Sequence, residues 1–320
     1  MIDVSIIIVN YKTCELLCNC IQSIISETKI YSYEVIVIDN ASKDGSANIV
    51  KKKYPHIKLI ENKTNKGFAY ANNQGINITK GDYILLLNPD TVIIQSAIDK
   101  MIHYIKSNTH INALGCKLLN ADMSLQPSCY RFPRLLPLIA NILHLWIILP
   151  LRKTFLLSSL LNKGYEDIHP VDCVRGACLL TYKGIFKEIG LLDESFFMYA
   201  EETDWCYRLK KSGYSLYYFP EAKIIHYQGQ SSKINYTTNM IQRQESIKIY
   251  YIKHYGKTVA NIYLLLMFIN NLIKIVEYSI VDIFLLIFKR PLLSIIPFIK
   301  INMWILAIHF KKSFKSKAKF

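Results

Sequence analysis

Several motifs that would assign a function directly do not occur in this chain. No Gly-x-Gly-x-x-Gly pattern follows the first apolar run, which argues against a dinucleotide-dependent oxidoreductase. No Gly-x-x-x-x-Gly-Lys-Ser/Thr pattern occurs either, which argues against a P-loop nucleotide hydrolase. The eight cysteines form no Cys-x-x-Cys unit, so we interpret them as packing or surface thiols and do not expect a structural zinc site.

A signal-peptide pattern is also missing. Met1, Ile2 and Asp3 pass directly into an apolar run, without the basic segment that opens a secretory leader. We therefore expect a reducing, cytoplasmic setting.

Acidic residues are scarce relative to basic ones. The chain has 24 Asp and Glu against 39 Lys and Arg, which gives a formal net charge of +15. Such an excess predicts anionic partners, which include nucleotides, membrane surfaces and nucleic acid. No motif that alternates aromatic and basic residues supports nucleic-acid recognition, so we expect no nucleic acid partner. With 320 residues, 51% of them hydrophobic, the chain can form one large domain with an extension.

Apolar, β-branched runs alternate with amphipathic segments over the first hundred residues. Strands are predicted at 4–9, 34–38, 57–60 and 83–87, and helices at 14–28, 45–54, 67–78 and 95–107. This order predicts an α/β fold with a mainly parallel sheet and right-handed crossovers. Further along, strands are predicted at 171–182, 216–219 and 223–226, and helices at 201–212 and 237–255.

Two segments are strongly apolar. Residues 259–310 are rich in Ile, Leu and Phe and lead into five lysines within the last ten residues. Residues 135–161 contain a run of 17 residues without a formal charge, at 135–151, but its prolines argue against a spanning helix. We expect interfacial helices or a shallow hairpin on an anionic membrane surface. The alternative is a soluble helical subdomain or a dimer interface.

Carboxylates follow two of the predicted strands. Asp90 comes just after the strand 83–87, and Pro89 fixes the turn that carries it. Asp39 ends the strand 34–38. Because open α/β sheets bind ligands beyond the carboxyl ends of their strands, Asp39 is a candidate for a ribose or base contact. A divalent cation that bridges Asp90 to a diphosphate would supply the counter-charge that Asp90 needs.

A second acidic cluster occupies residues 201–204. The spacing places Glu201 and Asp204 on one helix face, while Glu202 points elsewhere. Acids at a helix N-terminus also suit the macrodipole, which is the structural alternative to a catalytic role. An amide-rich stretch at 65–75, which includes Asn72, could bind a sugar or simply pack as a helix. His226 closes an apolar run and is interpreted on composition alone as an ordinary histidine.

Taken together, these motifs resemble the family 2 nucleotide-sugar glycosyltransferases of the GT-A fold, and in particular their rhamnosyltransferase-like branch. The resemblance covers residues 3–255. The matching stretches are SIIIVNY at 5–11, VIVIDNAS at 35–42, the stretch 65–75, LLLNPD at 85–90, and the stretches 176–193 and 196–213.

The resemblance implies roles for the donor-binding positions. Asp39 would contact the nucleoside, with Val9 and Asn10 near the base. Asp90 would be the metal-binding acid of the family's Asp-x-Asp element, in which Asn88 replaces the first acid.

It also implies the catalytic positions. Glu202 aligns with the catalytic base, Asp204 is its rival, and His226 matches a histidine that joins the metal, Mg²⁺ or Mn²⁺.

The expected activity is an inverting sugar transfer from a nucleotide-diphosphate donor, dTDP-rhamnose or a UDP-sugar. The expected acceptor is a polyprenyl-diphosphate-linked glycan of bacterial surface polysaccharide synthesis, met at the cytoplasmic face of the inner membrane by a peripheral or monotopic enzyme. The expected division is a GT-A domain at 1–255, with a nucleotide-binding half at 1–110 and an acceptor half at 111–255, followed by a membrane-associating tail at 256–320. The alternative is a non-catalytic nucleotide-sugar-binding scaffold.

Overall fold

The computed structural model describes residues 2–143, 165–227, 236–287 and 298–307. Most of the apolar segment 135–161 and all of the C-terminal lysines lie outside these ranges. The chain divides into two compact units, which are described separately. The first comprises Met1–Phe132 and Leu157–Lys233, and the second comprises Pro133–Leu156 and Ile234–Phe320. The sequence predicts a domain boundary at 255/256, whereas the second compact unit also contains residues 234–255.

Strands and helices alternate along the first unit. Its strands are β1 (Val4–Asn10), β2 (Tyr33–Asp39), β3 (Lys58–Glu61), β4 (Tyr83–Leu87), β5 (Thr91–Ile94), β6 (Ala113–Leu119), β7 (Leu125–Gln126), β8 (Cys129–Tyr130), β9 (His169–Pro170), β10 (Cys173–Val174), β11 (Cys178–Tyr182) and β12 (Leu216–His226). Its helices are α1 (Cys14–Glu27), α2 (Ser46–Lys53), α3 (Phe68–Asn77), α4 (Ala97–Ser107), α6 (Lys183–Ile189) and α7 (Glu201–Lys211). The helix between α4 and α6 in the chain, α5 (Leu135–Ile142), belongs to the second unit.

A mixed sheet forms the centre of this unit, in the order β3-β2-β1-β4-β11-β6-β12-β5. The strands β3, β2, β1 and β4 are mutually parallel, as the alternation of strands and helices predicts. Strand β11 runs antiparallel to both β4 and β6, and β12 runs antiparallel to β5. The fold is therefore the mixed, mainly parallel sheet flanked by helices that the sequence predicts.

Helices cover both faces of the sheet, which is why its central strands β1, β2 and β4 contain long apolar runs. In β1, Ile6 and Ile8 belong to the core that also contains residues of α1 and α4. Ile7 and Val9, which point the opposite way, belong to the core that contains residues of α3 and α7. Two buried faces explain an uninterrupted apolar run, because successive side chains of a strand alternate in direction.

The sequence-based strand bounds need two corrections. The predicted strands 216–219 and 223–226 form one strand, β12, whose register against β6 shifts between Phe219 and Lys223. Pro220 lies inside this bulge, where a residue that lacks an N–H is tolerated in a sheet. The predicted strand 171–182 is instead two short strands, β10 and β11, which pair with different partners.

The second unit is helical. It contains α5 (Leu135–Ile142), α8 (Tyr236–Ile287) and α9 (Phe298–Ala307). Gly256 interrupts α8 with φ 87° and ψ 168°, so two helices meet there at a kink. A core of Tyr251, Tyr263 and Leu264 packs with Ile301 and Ile305 of α9.

An apolar stripe remains exposed along α8. Its side chains are spaced three or four residues apart and are 38–62% exposed: Ile262, Leu265, Ile269, Leu272, Val276 and Ile280. Within the part of the chain that is described, the segment Thr237–Val281 is long and apolar enough to cross a membrane by length and composition. The predicted apolar helical extension is therefore present.

Candidate active site

Strand pairing brings Asp90 and His226 together. Strand β5 begins one residue after Asp90, and it pairs antiparallel with the end of β12 so that Thr91 faces His226. The Tyr227 N–H donates to the Asp90 backbone carbonyl at 2.8 Å. The His226 Nε2 atom lies 3.3 Å from Asp90 Oδ1, and both side chains are buried. The sequence placed each residue at a strand end, but the antiparallel pairing of β5 and β12 makes them neighbours.

The protonation pattern of His226 leaves room for a cation beside Asp90. Its Nδ1 atom lies 2.6 Å from the side-chain oxygen of Gln126, which can only accept a hydrogen bond, so Nδ1 carries a proton. In a neutral imidazole, Nε2 then presents a lone pair toward the Asp90 carboxylate. Two acceptors that face each other suit a shared proton or a metal ion. Imidazole nitrogen and carboxylate oxygen are both metal ligands in proteins.

The pair would provide two protein ligands to such a metal. Among the described residues, no group of three His, Cys, Asp or Glu side chains converges on one point. Two ligands are enough for a metal that also binds substrate phosphates and water, as Mg²⁺ commonly does. Asn88, on the same turn, is half-buried. Its backbone N–H donates to Ala177 and its carbonyl accepts from Thr91, so the turn is held from two sides.

A cavity of about 280 Å³ opens at the carboxyl end of β2. Its lining is mixed in charge and comprises Asp39, Ala41, Lys43, Gly45, Ser46, Ala47, Asn48, Glu61, Asn62 and Lys63. The Asp39 carboxylate accepts hydrogen bonds from the Ser42 N–H, the Ser46 hydroxyl and the Asn10 amide. A carboxylate has about four acceptor positions, so three internal bonds leave one for a ligand.

Val9 and Asn10 end the neighbouring strand at the same edge. Asn10 faces Asp39 in the β1–β2 register, and it is fully buried. Its amide also contacts the hydroxyls of Ser42 and Ser46, and its side-chain oxygen accepts from Thr13. Asn10 therefore shapes the loop around Asp39 through side-chain bonds.

The amide-rich helix α3 uses its buried asparagines within the protein. Asn72 donates to the Phe68 carbonyl one turn earlier at 3.0 Å. Asn73 donates to the Leu192 carbonyl at 2.8 Å and to Glu194 at 2.9 Å, and it accepts from the Leu192 N–H at 3.1 Å. Asn73 thus clamps the loop that leads to α7, a role that its sequence context does not indicate.

One short segment, Arg175 to Ala177, lies beside Gln126, the Asn88 turn and Glu202. Arg175 donates to Gln126, which holds His226, and the Ala177 carbonyl accepts from the Asn88 N–H. A Cβ added to Gly176 would lie 3.5 Å from Glu202 Cγ. The segment precedes β11, whose pairing beside β4 brings it to the carboxyl edge of the sheet. Sequence reasoning missed Gln126 and Arg175, because their neighbours in space are remote in the chain.

The three acids of α7 have different surroundings. Glu201 and Asp204 are buried while Glu202 is half-exposed, as their helical spacing predicts. Asp204 is fully buried and pairs with Arg208 at 2.9 Å. Arg208 also donates to the backbone carbonyls of Ile189 and Leu191. Asp204 therefore pairs with a half-buried cation that ties α7 to the preceding loop.

Glu201 is buried at the start of α7. Burial, together with the nearby charge of Glu202, raises the pKa of Glu201 well above its usual range. Its Oε2 atom has no hydrogen-bond partner among the described residues. A neutral carboxylic acid fits this environment better than a carboxylate.

The backbone that leads into α7 is strained. Tyr199 and Ala200 both have positive φ angles, of 71° and 65°. Residues other than glycine rarely adopt this conformation, because it costs about 1 kcal/mol or more for each residue. The strain sets the direction in which α7 starts and so the position of Glu202.

Comparisons with known proteins find one family model and several similar proteins. The family model of glycosyl transferase family 2 matches residues 5–137. The N-acetylglucosaminyl-diphospho-decaprenol L-rhamnosyltransferase of Mycobacterium tuberculosis is 26% identical over 229 residues, which cover 68% of this chain and 73% of that protein. The rhamnosyltransferase WbbL of Escherichia coli is 30% identical over 169 residues, which cover 50% of this chain and 61% of that protein.

A solved structure with the same fold is the mannosyltransferase PcManGT of Pyrobaculum calidifontis, determined in complex with GDP-Man and Mn²⁺. It superposes with a TM-score of 0.54 over 84% of this chain and 70% of that one, at 16% identity. The likeness extends the fold well beyond the residues that the family model matches. The match of residues 5–137 to the family model, the rhamnosyltransferase relatives and the shared fold make this chain similar to the glycosyltransferases of glycosyl transferase family 2.

Proposed function

We propose that this enzyme transfers a sugar, with inversion, from a nucleotide-diphosphate donor to a polyprenyl-diphosphate-linked glycan. Rhamnose from dTDP-rhamnose is the favoured sugar, and a UDP-sugar is the alternative. The main supporting observation is the contact between Asp90 and His226. The segment 175–177 links this pair, through Gln126, to Glu202. The names of the rhamnosyltransferase relatives, one of which acts on a diphospho-decaprenol compound, support the acceptor class.

The nucleoside would occupy the cavity beside Asp39. The free acceptor position of the Asp39 carboxylate suits an N–H of a pyrimidine base or a ribose hydroxyl. Lys43 and Lys63 in the lining add positive charge near a diphosphate. Val9 and Asn10 would hold the base edge of this cavity through the loop that Asn10 organises.

Asp90 and His226 would hold Mg²⁺ or Mn²⁺, which when bound neutralises the charge of the departing diphosphate. Asn88 stands where the family has an acid, so its amide oxygen would be a neutral partner on the same turn. The fixed turn and the buried imidazole would hold the diphosphate end of the donor in one orientation, with its sugar facing the acceptor. Asn72, bonded within α3, would support the donor side through the helix rather than by direct contact.

Glu202 would be the base that takes the proton from the acceptor hydroxyl. It is half-exposed, whereas Asp204 is fully buried and pairs with Arg208. A base must reach the proton it removes, so the exposed carboxylate is preferred over the buried one. Attack from the face opposite the diphosphate would invert the sugar, through a transition state with oxocarbenium character.

The acceptor would be met at a membrane surface. The exposed apolar stripe of α8 and the basic C-terminus, which lies outside the described residues, suit an anionic bilayer. The proposed location is the cytoplasmic face of the bacterial inner membrane, with peripheral or monotopic attachment.

Release of nucleoside diphosphate from a panel of donors, with a polyprenyl-diphosphate-linked glycan, tests the proposal. We expect Glu202→Gln to lower turnover by at least about 100-fold, since a positioned base contributes about 10²–10⁴-fold. Its thermal unfolding midpoint should stay close to that of the parent. Glu221→Gln, which removes an exposed acid from the β12 bulge, is the charge-matched control and should retain turnover.

Two outcomes contradict the proposal. Full activity of Glu202→Gln would exclude Glu202 as the base. Turnover that survives EDTA would exclude the metal role of Asp90 and His226. Donor binding without turnover, with every acceptor offered, would instead support a nucleotide-sugar-binding scaffold.

A further inference from the structure

Gln126 lies at the centre of a buried polar network beside Asp90 and His226. It ends the short strand β7, which pairs with β6, and its side chain is 2% exposed. The amide nitrogen donates to Asn120 Oδ1 at 2.8 Å and to the His226 backbone carbonyl at 3.1 Å. The amide oxygen accepts from His226 Nδ1 at 2.6 Å and from Arg175 Nη1 at 3.2 Å. All four hydrogen-bonding positions of the amide are therefore used.

The partners fix which end of the amide faces His226. Arg175 can only donate, so it requires the oxygen of Gln126 on its side. The His226 backbone carbonyl can only accept, so it requires the nitrogen on the other side. A flipped amide would place N–H against N–H at Arg175 and oxygen against oxygen at His226. The orientation of the amide thus follows from the network.

Arg175 is itself held in place. Its Nε atom donates to the Tyr130 hydroxyl at 3.0 Å, and its guanidinium lies over the Tyr130 ring, 5.5 Å from the centroid. Its backbone N–H donates to the Ser128 carbonyl at 2.7 Å. The donor that orients Gln126 therefore comes from a side chain anchored at three points.

We infer that Gln126 is a positioning residue that keeps the proton of His226 on Nδ1, so that Nε2 offers its lone pair toward Asp90. This inference rests on the proposed metal role of Asp90 and His226, and it names the group that prepares that role. A ligating histidine commonly donates its second N–H to an oxygen acceptor, and this bond fixes both ring orientation and tautomer. Here the acceptor is a neutral amide, so no further charge is buried beside Asp90.

The opposite tautomer would close the site. With the proton on Nε2, the imidazole would donate to Asp90 Oδ1 across the present 3.3 Å gap, and the lone pair would face Gln126. Both the histidine lone pair and one carboxylate oxygen would then be lost to a cation. Without the Gln126 oxygen, the Nδ1–H tautomer loses the hydrogen bond that favours it.

Nitrogen-15 NMR of the imidazole rings, on the full-length protein without metal or nucleotide, tests the inference. Spectra are taken in mildly alkaline buffer, and the His226 signals are assigned by their loss in His226→Gln. We expect Nδ1–H in the parent. We expect a shift toward Nε2–H in Gln126→Leu, which has a similar volume but no acceptor.

Mn²⁺ binding measured by electron paramagnetic resonance, with a nucleoside diphosphate present, gives a second readout. Gln126→Leu should weaken Mn²⁺ by about 10–100-fold, the usual effect of losing such a supporting partner. An Nε2–H tautomer in the parent, or an unchanged tautomer and unchanged Mn²⁺ affinity in Gln126→Leu, would overturn the inference.

The two proposals fail in different ways. If Gln126→Leu does not fold, the tautomer of the parent still decides the inference. If sugar transfer proves independent of metal, the transfer assay shows it while the tautomer measurement is unaffected. If the tautomer follows Gln126 but Mn²⁺ affinity does not, the network is structural and the inference is wrong.

Discussion

Glu201 is buried next to the residue proposed as the base. Burial, followed by the charge of Glu202, raises the pKa of Glu201 well above its usual range, so the folded protein holds this proton more tightly than the unfolded chain. The contribution of the neutral acid to stability is complete below the unfolded pKa near 4.5 and decreases as the pH rises above it. Asp204, on the same face of α7, pairs with Arg208.

Glu201→Gln should therefore flatten the pH dependence of stability. Glutamine has the shape of the protonated acid but cannot ionise, so the variant avoids the loss that the parent suffers as the pH rises. The slope removed is at most about 1.4 kcal/mol per pH unit, the value for one proton. Urea unfolding between about pH 5 and about pH 8 measures it. Parallel curves for parent and variant would mean that Glu201 is already ionised in the folded protein.

At the level of elements, the position of α7 depends on the loop before it. Asn73 of α3 makes three hydrogen bonds to that loop, at Leu192 and Glu194. Phe68 at the start of α3 donates its N–H to the Phe197 carbonyl, which adds a second contact. Gly67 is required for this approach, because a Cβ there would lie 2.5 Å from the Phe197 oxygen.

Asn73→Ala should loosen this loop. Loss of a buried amide and its partners costs about 1–3 kcal/mol. We expect lower unfolding free energy, faster amide hydrogen exchange within residues 191–198, and reduced turnover because Glu202 is less well positioned. Asn77→Ala, at the exposed end of the same helix, is the control and should leave all three unchanged. If the amides of residues 191–198 exchange at the same rate in Asn73→Ala as in the parent, Asn73 does not hold the loop.

At the scale of the whole molecule, a net charge of +15 and an exposed apolar stripe on α8 both favour the proposed attachment to an anionic bilayer. Basic residues near an anionic bilayer contribute about 1 kcal/mol each, and buried apolar area adds to this attraction. Soluble monomers seldom expose such a continuous apolar row.

Replacement of Leu265, Leu272 and Val276 by Gln should abolish flotation with vesicles that contain anionic lipid. These side chains are 45–58% exposed, so the changes leave the helical core intact. The matched control replaces Ile30, Ile78 and Met123, three exposed apolar residues of the first unit, and should float as the parent does. If the stripe variant still floats but differs from the parent in oligomeric state, the stripe is a dimer interface instead.

The sequence by itself determined the parallel strands and the edge of the sheet at which Asp39 and Asp90 lie. Apolar runs buried on both faces define β1, β2 and β4, and a parallel sheet places Asp39 and Asp90 at its carboxyl edge. Helical spacing alone separated Glu202 from the two buried acids of α7.

Only the tertiary structure decided which side chains meet. Gln126 and His226 are separated by 100 positions, and their contact follows from the placement of β7, β6 and β12 in one sheet. Local periodicity carries no information on strand order, so it could not pair His226 with Asp90 or identify Gln126 as a residue of the site. The same limit hid the Asn73 clamp, since hydrogen bonds between remote loops depend on packing that forms only when the whole unit is folded.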